Sequence, residues 1–444
     1  MLLKDSGIEW IGTLSSKWQV DRIKDVIPKV FGGGTPDSSE PEYWEDGSII
    51  WITPTDFQDY ENELLITNSR RKITEKGLKS CSAILLPAGT VIMASRATIG
   101  NAKIAGTELC TNQGFISFVC NKLSNKFFYY LIKAYLGDLF LNIAPGTTFK
   151  EIGRSAVKKE YIVFPGIDEQ HRIAAYLDKT CAAVDTAIDK KQKQLETLDT
   201  LRKSIIHKAV TRGLDDSVEL KDSGIEWIGM IPKHWRVEKL KRLLERPLMY
   251  GTNEAAELDD MEFPRYIRIT DFGDNGLLRD DIFKSLPPEK AEGYYLAEGD
   301  VLFARSGATV GKTFLFNGYD GKACYAGYLI KAQANKHKLL PEYLYYFTKS
   351  PSYDSWKNVI FTQATIQNIS ATKYAYLPLT VPPTDEQRQI VDYIDSKMGM
   401  LSDLHQNLKN QISTLEQYRK SLIHECVTGK RRITEEDMRV VQQY

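Results

Sequence analysis

PGIDEQHRIAAYLDKTCAAVDTAIDKKQKQLETLDTLRKSIIHKAVTRG, residues 165–213, is the stretch on which the fold turns. No proline follows Pro165 within it, and no glycine lies between Gly166 and Gly213. Leu177, Val184, Lys191, Leu198 and Ile205 recur every seven residues, with Ala187 and Leu201 on the adjoining seam. The spacing predicts one long helix whose apolar stripe is interrupted at Lys191. Roughly 40 residues at ~1.5 Å each span ~60 Å, too long for a helix confined to a compact core. The stretch returns 217 residues later, at 382–430, as PPTDEQRQIVDYIDSKMGMLSDLHQNLKNQISTLEQYRKSLIHECVTGK. Its heptad positions are Ile394, Leu401, Leu408, Leu415 and Leu422. Thr384 with Gln387 fits a capping box, and Asp168 is the expected cap of the first copy. Gly399 weakens the first turns of the second helix.

A chain of 444 residues is long enough for more than one domain. With 42% hydrophobic and 26% charged residues, it has the composition of a soluble globular protein. No apolar run approaches the length of a membrane span. The start, MLLKDSGIEWIG, lacks the pattern of a signal peptide. The six cysteines form no CxxC pair and no framework spacing, which fits a reducing, cytoplasmic setting. Lys plus Arg and Asp plus Glu both number 58, so the net charge is zero. That argues against non-specific wrapping of nucleic acid and leaves specific binding open.

The repeat extends beyond the helix. LKDSGIEWIG at 3–12 recurs unchanged at 220–229, and the similarity runs on to pair Trp18 with Trp235. Between these lead segments and the helices lie two diverged blocks of short strands and turns. Trp51-Ile-Thr-Pro-Thr-Asp-Phe57 aligns with Tyr266-Ile-Arg-Ile-Thr-Asp-Phe272. The turn-and-strand segment 86–94 aligns with 296–304, and the turn 95–100 with 305–311, with one insertion. Residues 126–133 and 341–348 read as short helices sharing an aromatic face. Two copies suit a pseudo-two-fold object. For its symmetry to close, the N-terminal segment must lie beside the end of the second helix, which predicts a circular arrangement with adjacent chain ends.

This plan resembles the specificity subunit of Type I restriction–modification systems. The resemblance rests on Ser6-Gly-Ile-Glu-Trp-Ile-Gly12 with Trp18, its copy Ser223–Gly229 with Trp235, the strands ending in Thr55-Asp-Phe57 and Thr270-Asp-Phe272, and the Glu-Gln starts of the two helices. It implies an α+β fold of two tandem target recognition domains, each followed by a long helix. The helices would pair as an antiparallel coiled coil with pseudo-two-fold, circular organisation. Residues 1–165 (lead segment 3–24) and 214–382 (lead segment 220–241) would be the recognition domains. Residues 166–213 and 383–430 would be the spacer helices, and 431–444 a tail. The implied function is reading a bipartite double-stranded DNA target, one half-site per domain, with the gap set by the helices. Two adenine-methyltransferase subunits and motor–nuclease subunits would be the partners. S-adenosylmethionine, ATP and Mg²⁺ would sit on those partners, with no cofactor on this chain. Trp10, Trp18, Glu169 and Gln170, with Trp227, Trp235, Glu386 and Gln387, are the expected methyltransferase-docking residues, because a repeated surface suits two copies of one partner.

Candidate DNA contacts lie in the variable blocks. Ser69-Arg70-Arg71-Lys72 is a dense basic run, either a solvated helix start or a phosphate contact. Arg265, Arg268 and Arg279 are its rough counterparts. Gly307-Ala-Thr-Val-Gly311-Lys312-Thr313 imitates a phosphate-binding P-loop but has three residues between its glycines where four are needed. A turn between strands is the better reading. Arg305, Thr309 and Lys312, with Arg96 and Thr98, are therefore candidates for base or phosphate contact. Lys150 and Gln363 sit in polar loops before the last strand of each block. Lys190, Lys191 and Lys193 are either a solvated helix face or contacts to the DNA gap.

His207 and His424 are repeat-equivalent and read as packing residues, since no histidine or cysteine has ligand spacing. Catalytic signals are lacking: there is no Asn/Asp-Pro-Pro-Tyr/Phe, no glycine-rich cofactor loop and no Gly-x-Ser-x-Gly. The leading expectation is a non-catalytic DNA-recognition subunit. Its rivals are a coiled-coil scaffold whose blocks bind proteins, and a nuclease or methyltransferase in its own right.

Overall fold

A computed structural model of the chain describes residues 3–8, 11–60, 63–147, 149–273, 276–307, 309–362 and 367–442. It contains two tandem domains of mixed helix and strand. Contacts group the chain into two compact units, Met1–Gln192 with Asn410–Tyr444, and Lys193–Lys409. The division falls inside both long helices, not at their ends.

In the first unit a five-stranded sheet runs in the order Lys29–Gly32, Phe115–Val119, Val91–Ala94, Ala102–Ala105, Leu65–Ile66. The pairings are antiparallel except the last. Val91–Ala94 is apolar at every position and buried on both faces. Its side chains alternate as strand geometry requires. Val91 and Met93 join a core with Phe127, Phe128 and Leu131 of the helix Asn125–Leu131. Ile92 and Ala94 face Ile52, Phe57 and Ile66 on the other side. The second unit repeats this with a four-stranded sheet, Met249–Tyr250, Leu329–Ala332, Val301–Ala304, Thr313–Leu315. Val301 and Phe303 pack with Tyr343, Leu344 and Phe347, whereas Leu302 and Ala304 pack with Ile267 and Phe314.

The long helices are Ile167–Arg212 and Thr384–Val427. In the first unit Leu177 and Cys181 share a core with Leu422, Cys426 and Val427. There Arg419 bonds Asp185, and the Lys191 ammonium bonds the Gln411 side-chain oxygen. In the second unit Ile206, Ala209 and Val210 share a core with Ile390, Val391 and Ile394.

Three sequence expectations for the helices need correction. Leu201 is 44% exposed and lies off the seam, and Ile206, at 6%, is buried where Ile205 was expected. A helix of 3.6 residues per turn drifts from a strict heptad, so the apolar stripe shifts by a residue along its length. Neither expected cap precedes its helix: the first begins one residue before Asp168, and Thr384 is itself the first helical residue of the second. Gln387 does not cap. Its amide donates to the Pro382 and Lys338 carbonyls, and its oxygen accepts from the Leu340 N–H. Gln170 does the same, donating to the Pro165 carbonyl and accepting from the Ser124 N–H. The Glu-Gln motif thus ties helix to domain through buried backbone groups.

The lead segments form matching hairpins, Leu3–Asp5 with Thr13–Ser15 and Leu220–Asp222 with Met230–Pro232. Each is followed by a buried tryptophan. Trp235 packs on Gly213, and Trp18 packs on Gly429, the ring in each case 3.2 Å from where a Cβ would stand. Both glycines have φ +75°, the left-handed turn that ends a helix and that favours glycine.

Candidate nucleic-acid interface

A chain that reads DNA needs donors and acceptors held at the rim of a rigid scaffold. In each unit the buried strand of the main sheet ends in such a rim. In the first unit the Ser95 N–H donates to the Gly114 carbonyl at 2.9 Å, and the Ile152 N–H donates to the Ser95 carbonyl at 2.9 Å. Arg96 is bridged antiparallel to Glu151. In the second unit the Arg305 N–H donates to Tyr328 at 3.0 Å, the Ile369 N–H donates to Arg305 at 2.9 Å, and Ser306 is bridged to Asn368. The backbone frame is the same. Arg305 therefore corresponds to Ser95, and Ser306 to Arg96. The two arginines, both candidates in the sequence, occupy adjacent and not equivalent positions. Val301–Ala304 and Thr313–Leu315, on either side of residues 305–312, pair antiparallel, as the reading of that segment as a connection between strands led one to expect.

The side chains differ accordingly. Arg305 is half-buried, its guanidinium 4.9 Å from the centre of the Tyr250 ring, and its Nε is enclosed without a hydrogen-bond partner. Tyr250 is fixed by the Ala371 N–H, which donates to its hydroxyl at 2.9 Å. Arg96 lies over Gly114, where an added Cβ would stand 3.2 Å from its Nε. Ala97, the next residue, adopts φ +58°. Thr98 is exposed beside it. Lys150 is half-exposed and donates to the Leu141 carbonyl at 3.1 Å.

The basic run 69–72 is not a helix start. Lys72–Ile73 is a short strand pairing with Ile49–Ile52. Arg70 forms a two-pronged pair with Asp59, at 2.7 and 2.6 Å, and this holds the Asp59 carboxyl below its ordinary range. Arg71 stacks 3.7 Å over Trp44. Lys72 is exposed. Arg268 grips Asp271 at 2.9 and 3.0 Å and caps a local turn. Arg265 is corrected outright: it is 5% exposed, and its guanidinium donates to the Arg279 and Ile282 carbonyls at 2.6 and 3.1 Å. A cation so enclosed holds a loop together and is closed to a DNA base.

Thr309 and Lys312 open onto a cleft of about 820 Å³ within the second unit, which also takes in Arg202, Lys203 and Lys349. Sequence reasoning missed these three; Arg202 and Lys203 carry no signal apart from the helix, and Lys349 none apart from an aromatic helix end. Burial and the nearby Lys357 and Lys312 push the Lys349 ammonium down to about 8. Asp199, Glu342 and Asp395 line the same cleft, so its charge is mixed.

The docking set changes most. Trp18, Trp235, Gln170 and Gln387 are at most 2% exposed and hold the chain's own elements, so no partner reaches them. Glu386 accepts from Trp235 Nε1 at 3.0 Å and is 2.8 Å from His234 Nε2, which makes it a strut for the same tryptophan. Glu169 is half-exposed, and Trp227 packs partly buried against the second core. Trp10 and Gln363 lie outside the described residues. His207 packs against Ser352, 3.3 Å from its hydroxyl, and burial lowers its imidazole pKa. Among the described residues no cluster of three His, Cys, Asp or Glu is arranged to hold a metal, and no helix is long and apolar enough to cross a membrane.

Comparison with known proteins bears on this arrangement. The family model described as the type I restriction modification DNA specificity domain matches residues 15–197 and 232–414. The chain is similar to the type I restriction enzyme MjaIX specificity subunit of Methanocaldococcus jannaschii, 35% identical over 241 residues, 53% of each chain. That match spans about half the length of this relative. Among solved structures, a chain from work on complex assembly and conformational transition of the type I R-M system aligns with TM-score 0.71 at 17% identity, covering 93% of this chain and 98% of that one. The HsdS subunit from Thermoanaerobacter tengcongensis aligns with TM-score 0.52 at 16% identity, covering 94% and 98%. These two likenesses are of fold.

Proposed function

The chain belongs to the family of the type I restriction modification DNA specificity domain, and from that premise we propose that it is the non-catalytic, sequence-reading subunit of a type I restriction–modification complex. It reads a bipartite DNA target, one half-site with each unit. The observation that carries this is the repeated rim: one backbone frame, presented twice, with different side chains on it. A scaffold binding proteins through its blocks has no need to keep the frame while changing its donors and acceptors.

The long helices pair antiparallel as a coiled coil and set the gap between half-sites. Support comes from the Asp185–Arg419 and Lys191–Gln411 contacts and the mixed cores of the two helices. The organisation is circular. Trp235 meets the end of the helix that precedes it in sequence, whereas Trp18 makes the same contact with Gly429, near the other end of the chain. Two methyltransferase subunits dock on the repeated surfaces, through Glu169 and Trp227 and their neighbours, and motor–nuclease subunits join for cleavage. S-adenosylmethionine, ATP and Mg²⁺ belong to those partners, and the complex works in the cytoplasm.

Methylome mapping of a host carrying this chain with its partners tests the proposal. The expected result is one motif of two unlike halves around a fixed gap. Exchanging residues 25–164 for another relative's block is expected to change one half only. Methylation without a split motif, or a change in both halves, contradicts it.

A further inference from the structure

The frame shared by the two units isolates the positions at which they differ. At the bridge, the first unit carries Arg96 opposite Glu151, and the second carries Ser306 opposite Asn368. Side chains of directly bridged residues project to the same side of the pair, with Cβ atoms about 4.5–5.5 Å apart. Arg96 and Glu151 thus set a fork of donors beside a carboxylate acceptor. No ion pair joins them among the described residues; the guanidinium lies instead over Gly114, and Glu151 is exposed. Gly114 has an ordinary φ, and an added Cβ would stand 3.1 Å from Asn112 Oδ1 and 3.2 Å from Arg96 Nε, so its missing side chain leaves room for both. In the second unit the equivalent of Gly114 is Tyr328, 66% exposed, and the residue beside it is the short Ser306. Arginine with glycine has been exchanged for serine with tyrosine. Asn368 keeps an enclosed side-chain oxygen with no partner in the protein.

We propose that Arg96 and Glu151 together read one G·C base pair in the major groove of the half-site bound by the first unit. This rests on the DNA-reading function proposed above. Guanine offers N7 and O6 as acceptors, which arginine meets with two donors; the paired cytosine offers its N4 amino group, which a carboxylate accepts. One base pair then takes both side chains. A phosphate contact is disfavoured, because Glu151 would repel it at the distance at which Arg96 attracts it. Gly114 is a positioning residue that sets the height of the guanidinium. Ala97 at φ +58° holds the turn in a conformation that disfavours an L side chain, the kind of strain that persists where the surrounding structure fixes a functional group. Lacking both charges, the second unit does not demand G·C at the corresponding base pair.

The test uses the full complex with its methyltransferase partners and maps methylation for the wild type, Glu151→Gln, and the double variant Arg96→Ser with Glu151→Asn. The double variant carries the second unit's own residues. Both are expected to keep the gap and one half-site unchanged, and to lose the G·C requirement at a single position of the other half-site. For Glu151→Gln, preference for G·C over the other pairs is expected to fall at least tenfold at that position. Gly114→Ala is expected to relax the same position while leaving the thermal midpoint close to wild type. Variants that methylate the unaltered wild-type motif overturn the inference alone. Should the double variant fail to accumulate, Glu151→Gln, which removes charge without volume, decides the matter. A wild-type complex with no sequence-specific methylation instead overturns the DNA-reading proposal beneath it.

Discussion

Arg265 and Arg305 look alike in sequence, each beside a β-rich run, and the folded chain gives them opposite work. Arg305 reaches the rim over Tyr250, whereas Arg265 is sealed against two carbonyl oxygens and flanked by the Phe283 and Tyr319 rings. Removing a charged donor from buried carbonyls costs the bonds and leaves acceptors unmet, together about 2–4 kcal/mol. Arg265→Ala is therefore expected to lower the denaturation midpoint while leaving the recognised motif unchanged in the fraction that folds. Calorimetry with methylome mapping separates the two effects, and an altered motif at wild-type stability would reassign Arg265 to DNA. Nothing in the sequence distinguishes these arginines, since both are single basic residues near turns. What separates them is whether the chain returns overhead with unpaired carbonyls, as Arg279–Ile282 does.

At the scale of the element, the long helices are the most legible feature of the sequence. Their existence and their extents follow from apolar spacing and the absence of breakers. The seam follows as well at Leu177, Val184, Leu198, Ile394, Leu408 and Leu422, which are buried, and departs at Leu201 and Ile205, because a helix of period 3.6 drifts from a strict heptad along its length. Lys191 is informative here. It breaks the stripe and bonds Gln411, a residue of the other long helix, so its polarity fixes register where a leucine would leave it free. A heptad added to only one helix shifts the Lys191 and Asp185 contacts out of step. Matched heptads, after Gln192 and after Lys409, keep them. They lengthen each helix by ~10 Å, equivalent to ~3 base pairs. The matched variant is expected to methylate a motif with both halves intact and the gap longer by about that amount, as read by methylome mapping. An unchanged gap would remove the helices from the specificity mechanism.

For the whole molecule, the equivalence of the Trp18–Gly429 and Trp235–Gly213 contacts implies that the peptide link between the first helix and the second lead segment is dispensable. A circular permutant that joins Tyr444 to Met1 through a short flexible linker and opens between Gly213 and Leu214 is expected to fold with a midpoint near wild type and to keep the motif. An unfolded or aggregating product would contradict the circular organisation. The repeat at offset 217, the two α+β blocks and the helices that follow them were determined by the sequence alone, because repetition and periodicity are one-dimensional signals that survive without a partner. Which basic residues face outward and which glutamine or tryptophan is buried were decided only by the tertiary structure. Those properties depend on what the chain brings back against each residue from far away: Gly114 beneath Arg96, Glu151 beside it, Gly429 on Trp18. No local pattern encodes such neighbours, because the energy that selects them is shared across contacts between distant parts of the chain.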